Sequence, residues 1–343
     1  MRVLASCNRY SEITLTLDPV ATNGNKLELY IDLKVSSHTQ PLLNGQIQWL
    51  ITGGQLNLVL NNCILVHSDL NPEFAVTFED DSTAYLFALR GGDWGCKLGS
   101  FSYGNDSYTI TGEFFATMSD VSVVETQSLW RHDISPNKYG VLNRVLARFL
   151  VNNELHPYLS KVTIGLQALP PDTLPPVPAT QALDNLDKLI TVIYEHDSDD
   201  FALLTGLAGL SIFDDYRGGN LSGCELSGVD FTGANLSRVN LRGANLTDAC
   251  LSEADLSYAR LRGADLSGAL LSNANLTGID GYRCSLALAN LIGANLEGAN
   301  LTQVNLTETN LSGAKVKGAT FAENTGMTEE LRSSLLSRGA IVL

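Results

Sequence analysis

From Tyr216 to Phe321 the chain counts in fives. Positions 221, 226, 231, 236 and 241 read Leu, Leu, Phe, Leu, Leu, and the run continues to 321 with Gly281 as its one non-apolar member and Val316 as an aliphatic variant. Two residues before each stands a small or apolar residue, as at Ala234, Val239, Ala244, Ala249 and Ala254. Asn or Asp usually precedes the large residue (Asn235, Asn240, Asn245, Asp255), and Ser or Thr often follows it. The frame holds through 22 quintets.

A period of five fits neither an α-helix, whose stripe recurs at 3.6 residues, nor a strand, whose faces alternate at 2. The chain must therefore turn a corner at each quintet, burying the large and the small residue and showing the other three to solvent. Four such sides close a coil of 20 residues, and coils stack through backbone hydrogen bonds at the strand spacing of ~4.8 Å.

The run Ala234-Asn235-Leu236-Ser237-Arg238, Ala244-Asn245-Leu246-Thr247-Asp248, Ala264-Asp265-Leu266-Ser267-Gly268 resembles the A(D/N)LXX motif of the pentapeptide-repeat family. The resemblance covers about a third of the chain, residues 216–321. It implies a right-handed quadrilateral β-helix there.

Charge is unevenly placed. The net charge is −15, which disfavours general nucleic-acid or anionic-membrane binding. Residues 216–343 carry 10 Lys and Arg against 12 Asp and Glu, so the acidity lies in residues 1–215, with 12 against 25. The N-terminus lacks the apolar core of a signal peptide and no 18-residue apolar stretch could span a bilayer, so a cytoplasmic location is expected. Cys224 and Cys284 share the small inward position three coils apart, roughly 14 Å, too far for a disulfide. They read as buried thiols in place of Ala.

Residues 1–168 read as a β-rich domain with a C-terminal helix. Ile13, Leu15 and Leu17, then Leu27, Leu29, Ile31, Leu33 and Val35, alternate with polar neighbours as half-buried strands do. Ile47, Trp49 and Ile51 lead into Gly53-Gly54, a hairpin signal, before Leu56, Leu58 and Leu60 return. Further strands are expected at 74–78, 85–89, 108–114 and 121–124. Eight or so short strands suggest an antiparallel sandwich or barrel.

Ser135-Pro136 then opens a helix of about 14 residues, whose Leu142, Val145, Leu146, Phe149 and Leu150 face the β domain. Five of the ten prolines fall within 170–178, which marks 169–179 as an extended linker. Residues 180–215 form two helices begun by Thr180 and by Asp199 or Asp200, read as a helical cap at the N-terminal end of the solenoid. Residues 322–343 form a second cap, with a helix opened by Thr328 and stopped by Gly339. Its wording resembles the helical ends of bacterial pentapeptide-repeat proteins.

No pair of the five histidines has metal-ligand spacing, and no Cys-x-x-Cys, Gly-x-Ser-x-Gly or phosphate-loop pattern occurs. No catalytic residue, cofactor or metal is expected. Trp130-Arg131-His132-Asp133 reads as a polar corner, and Glu195, Asp197, Asp199 and Asp200 as a solvated turn supplying an N-cap.

The period predicts which side chains share a face, because residues 20 apart stack. Arg242, Arg262 and Tyr282 fall in one column, Arg238 and Tyr258 in another, and Arg260 beside them; with Arg283 they converge on one face and its edge. Two guanidinium groups about 5 Å apart repel by only ~1 kcal/mol in water, so the group is tolerable as plain solvated surface. Arg and Tyr also dominate protein-binding hot spots. These seven residues are the candidate protein-binding site, for an acidic protein surface such as this chain's own β domain or a second copy.

Three functions compete. The leading reading is a non-enzymatic interaction scaffold, the solenoid a rigid platform and the acidic β domain a recognition module. The family resemblance also implies a DNA mimic that binds type II topoisomerases. B-DNA carries a charge per ~1.7 Å, so a rod of roughly 26 Å needs about fifteen net negative charges, against the two of residues 216–343. An enzyme sited in the β domain ranks last. A homodimer through the C-terminal end or the β domain is compatible with exposed strand edges.

Overall fold

The computed structural model describes residues 2–4, 11–19, 26–35, 37–61, 63–68, 74–77, 83–90, 94–103, 109–130, 134–155, 160–165 and 180–343. The proline-rich stretch 169–179 and Arg131, His132 and Asp133 lie outside these residues. The chain forms two compact units, Met1–Leu129 with Ala147–Asp184 and Trp130–Leu146 with Asn185–Leu343.

The first unit is built on strands β1 (Arg2–Leu4), β2 (Ser11–Pro19), β3 (Lys26–Val35), β4 (His38–Leu42), β5 (Gly45–Ile51), β6 (Gly53–Asn61), β7 (Cys63–Ser68), β8 (Phe74–Thr77), β9 (Thr83–Arg90), β10 (Trp94–Tyr103), β11 (Thr109–Phe115) and β12 (Val121–Gln127). Helix α1 (Pro136–Asn153) and strand β13 (Ser160–Gly165) follow. The sheets run in the orders β1-β2-β3-β10-β7, β13-β11-β6-β9-β8 and β12-β5-β4. Every pairing in them is antiparallel.

Alternation places Leu56, Leu58 and Leu60 of β6 and Ile110 and Phe114 of β11 fully inside. Trp49 is also buried, and its indole N–H donates to Gln40 Oε1 (3.3 Å). Gly53-Gly54 is not the expected hairpin turn. The chain changes sheets at Thr52, which is tied by its N–H to the Asp120 carbonyl (2.7 Å), and β6 starts at Gly53. The glycine serves close approach: a Cβ on Gly54 would lie 2.5 Å from the Phe114 ring.

In the second unit the quintets stack as 20-residue coils. Parallel bridges join Asn220 to Asn240, Asn240 to Arg260 and Arg260 to Asp280, and the same spacing recurs along the repeat. Each coil therefore has four faces, centred on the columns of Leu221 (first), Leu226 (second), Phe231 (third) and Tyr216 (fourth). The inward columns are dry: Leu241, Leu246, Leu251 and Leu256 are fully buried, as are Ala249, Ala254 and Ala259.

Local chemistry explains the other slots. The Asn or Asp before the large residue accepts from the backbone and hydroxyl two positions on, as in Thr247 N–H and Oγ1 to Asn245 Oδ1 (3.1 and 2.7 Å). Its amide also reaches the coil below, as in Asn240 Nδ2 to Asn220 Oδ1 (2.8 Å). The corner residue, second after the large one, has left-handed backbone and is most often glycine, as at Gly243 (φ 64°).

Around the repeat stand the first part of α1, α2 (Thr180–Glu195), α3 (Phe201–Leu207), β14 (Asn300–Thr302), β15 (Thr320–Ala322), α4 (Glu329–Ser337) and β16 (Ile341–Val342). Asp200 accepts from Leu203 N–H (2.7 Å) at the start of α3, and Thr328 from Leu331 N–H (3.2 Å) at the start of α4. Phe201 of α3 lies 5.0 Å from the Tyr216 ring and 6.0 Å from that of Phe231.

Residues Trp130–Leu146, expected with the β domain, group with the repeat instead. The reason is polar. Lys138 Nζ donates to the Tyr194 carbonyl (3.0 Å), Arg144 Nε to that of Asp215 (2.6 Å), and Asn137 bonds Glu225. Gly140 lets the helix approach, since a Cβ there would lie 2.9 Å from Leu221 Cδ2.

Candidate protein-binding site

The backbone of the first face is a continuous ladder. Leu241 N–H donates to the Arg260 carbonyl (2.8 Å), Arg260 N–H to that of Val239 (2.9 Å) and Leu261 N–H to that of Asp280 (2.8 Å). Gly281 does not interrupt it, for its N–H reaches the Asn300 carbonyl at 2.9 Å. A Cβ on Gly281 would meet Leu301 Cδ2 at 3.1 Å, the Asn300 carbonyl at 3.2 Å and Cys284 Sγ at 3.3 Å, so these groups crowd the position where the repeat elsewhere carries Leu.

On this ladder Arg262, Tyr282 and Arg283 come together. The Arg262 Cζ stands 4.8 Å from the Tyr282 ring centroid and the Arg283 Cζ 5.0 Å from the same centroid. Such contacts are worth ~0.5–1 kcal/mol at exposed sites. Arg262 Nε also lies 3.6 Å from Asp280 Oδ2, with both side chains near half exposed, where an ion pair holds geometry more than it stabilises. Arg242 and Arg260 flank the group by column and register, and both are exposed.

Tyr258 and Arg238 occupy the edge shared with the fourth face. The Tyr258 ring lies over Gly278 one coil on, where a Cβ would approach its Cε1 to 2.7 Å, and the residue is 55% exposed. Arg238, Tyr258 and Arg283 stand at the corner slot with φ of 60°, 58° and 61°. Left-handed backbone costs a non-glycine residue ~1–2 kcal/mol, so these large side chains sit where glycine would be cheaper.

Sequence reasoning did not find how the corner column of Arg283, on the edge that the first face shares with the second, continues. Arg283 Nε donates to Gln303 Oε1 (2.6 Å), and Gln303 Nε2 donates to Glu323 Oε2 (2.6 Å), continuing the corner column over two further coils. It also missed the far side of the rod. Leu288, Leu270 and Ile292, on the second and third faces, are 62%, 44% and 44% exposed, and Leu288 has φ 60°. The same 20-residue columns would have located them.

Other candidates carry less. Asp200 caps α3, and Asp199 accepts from the Ser135 hydroxyl and, at its carbonyl, from Asn137 Nδ2 (2.8 Å). Among the described residues no three His, Cys, Asp or Glu are grouped to hold a metal ion, and no helix is long and apolar enough to cross a membrane. Burial pushes the Cys224 and Cys284 thiols up to about 12 and that of Cys63 to about 11, away from nucleophilic use. Trp130 packs edge-on against Tyr139 at 6.0 Å.

The comparisons agree with the repeat. The family model for pentapeptide repeats matches residues 217–248, 249–280 and 284–321 in eight copies, and the gap falls on Gly281, Tyr282 and Arg283. A pentapeptide repeat protein from the Arabidopsis thaliana thylakoid lumen is 34% identical, with 35% of this chain and 80% of that chain covered and a TM-score of 0.26. The Nostoc PCC 7120 protein alr5209 is 35% identical, covering 33% and 84%, with a TM-score of 0.14. HetL, a Nostoc pentapeptide repeat protein involved in regulating heterocyst differentiation, is 31% identical over 36% of this chain and 65% of its own, with a TM-score of 0.25. No curated protein matches the chain.

Proposed function

We propose, from the premise that the chain belongs to the pentapeptide-repeat family, that it is a non-enzymatic scaffold whose Arg- and Tyr-bearing face captures an acidic protein surface. The observation that carries this reading is the Tyr282 ring in contact with both Arg262 and Arg283, beside side chains kept at left-handed backbone positions. A pre-ordered aromatic flanked by guanidinium groups offers a partner apolar area and carboxylate-binding forks at low entropic cost.

In this reading the repeat is the family's right-handed quadrilateral coil, and α1, α3 and α4 cover ends that would otherwise expose unpaired backbone. The acidic β unit supplies a second recognition surface. Capture of partner protein by the chain and by its Arg242→Ser/Arg262→Ser variant tests it. Loss of capture with an unchanged melting temperature is expected; equal capture would refute it.

The DNA-mimic reading now has a defined place to act, because the second and third faces carry Glu225, Asp230, Asp248, Glu253, Asp265 and Glu308 and no Lys or Arg. Six charges remain under half of the about fifteen that B-DNA presents over this length. Gyrase supercoiling with and without the protein separates the two readings.

A further inference from the structure

The charges of the repeat are sorted by face, although their sum is near zero. All eight Lys and Arg of residues 216–321 lie on the first and fourth faces, with only three acids, Asp255, Asp280 and Glu297. The six acids of the second and third faces are all exposed. The two pairs of faces meet at diagonally opposite edges of the rod.

The apolar side chains are sorted in the same way. Tyr258 and Tyr282 stand among the arginines. Leu270, Leu288 and Ile292 stand among the acids, within the same span of coils. Leu288 is the strongest anomaly: a large apolar residue, 62% exposed, at a left-handed corner that glycine fills at Gly228 and Gly268 in the same column. Isolated exposed apolar residues need no explanation, but a cluster rimmed by one sign of charge marks an interaction surface.

The levels match as well. One coil is 20 residues, so sequence number measures height along the rod. Arg242 stands level with Asp248 and Glu253, Arg262 with Asp265, Tyr282 with Leu288, and Lys315 with Glu308, each within about half a coil by this count. A copy shifted sideways across the diagonal, without rotation, would bring Arg242, Arg262 and Lys315 opposite acids and Tyr282 opposite Leu288.

We infer that the acidic surface captured by the Arg and Tyr face is the Leu270–Leu288–Ile292 edge of a second copy of this chain, so that the rods associate side by side, parallel and in register. The inference rests on the function proposed above and names its partner. The contact is heterologous: each copy uses one edge and leaves the other free, so association does not close at two chains. Charge complementarity sets the register and makes association salt-dependent, while the apolar pairs add salt-independent affinity.

Sedimentation velocity on the full chain tests it with two charge-reversed variants, Arg242→Glu/Arg262→Glu and Asp248→Lys/Glu253→Lys. These sites are exposed, and the corner slot already accepts Arg238 and Tyr258 in other coils. At low salt the wild-type mass is expected to rise with concentration beyond twice that of the monomer and to fall back at high salt. Each variant alone stays monomeric, and their equimolar mixture associates because one intact pair of edges is restored. Leu288→Ser, with charge unchanged, weakens association by about tenfold or more.

A wild type that stays monomeric at low salt, one that stops at two chains, or a mixture that stays monomeric would overturn the inference. Failure here is distinguishable from failure of the scaffold reading. Asp248→Lys/Glu253→Lys leaves the Arg and Tyr face intact, so its capture of a foreign acidic protein while wild type remains monomeric removes only the self-association.

Discussion

Asn137 and Glu225 exchange two hydrogen bonds: Asn137 Nδ2 donates to the Glu225 carbonyl at 3.0 Å, and Asn137 Oδ1 accepts from the Glu225 N–H at 2.8 Å. Within the stack, the equivalent residue Asn245 uses its N–H on the Cys224 carbonyl and its carbonyl on the Leu226 N–H, both in the preceding coil. Glu225 has no preceding coil. A helix side chain, 2% exposed, supplies both partners in its place.

Removing that side chain leaves two backbone groups of the first coil unmatched. Asn137→Ala is expected to destabilise the repeat unit by about 2–6 kcal/mol, given roughly 1–3 kcal/mol per buried unsatisfied group. Denaturant unfolding reads this directly, and a change under 0.5 kcal/mol would mean that water replaces the amide at no cost.

Gly281 poses the opposite test, of volume rather than polarity. Restoring the repeat's own residue with Gly281→Leu should destabilise by about 1–3 kcal/mol, because Leu301, the Asn300 carbonyl and Cys284 already crowd the site. Adding Cys284→Ala, which restores the usual small residue, should recover part of that loss. Stabilisation by Gly281→Leu alone would show that the space is empty.

The buried thiols predict an alkaline limb to stability. Burial holds Cys224 and Cys284 at about 12 and Cys63 at about 11, above the usual 9. Above pH 9 the unfolded chain therefore loses protons that the folded one keeps, and stability falls as pH rises, by about 1.4 kcal/mol per unit for each fully titrating thiol. Cys224→Ala and Cys284→Ala should flatten this limb between pH 9 and 11. At pH 8 a thiol reagent should modify the partly exposed Cys250 well before Cys224 or Cys284, as peptide mapping would show.

Much of the repeat was legible in advance, for a physical reason: a five-residue period leaves one way to bury Leu241, Leu246 and Ala244 while exposing the rest. The convergence of Arg262, Tyr282 and Arg283 followed from the same count. What the count could not contain was any relation between the repeat and the residues before it. That α1 joins the first coil depends on one amide, Asn137, imitating a strand rung, and on Gly140 allowing contact, neither of which leaves a periodic trace. Gly53-Gly54 carried a turn signal, but its glycine answers to Phe114, which lies 60 residues from Gly54 in sequence. The sorting of charge onto opposite faces was present in the 20-residue columns, yet a net charge summed over the rod conceals it.

Binding of the captured partner to wild type, Arg262→Ser and Tyr282→Ala, measured by titration at two salt concentrations, tests the central claim most directly. The scaffold reading predicts affinity reduced by about tenfold or more in each variant, a smaller salt dependence for Arg262→Ser, and melting temperatures within a degree or two of wild type. Equal affinity in all three proteins would place recognition elsewhere on the chain and contradict it.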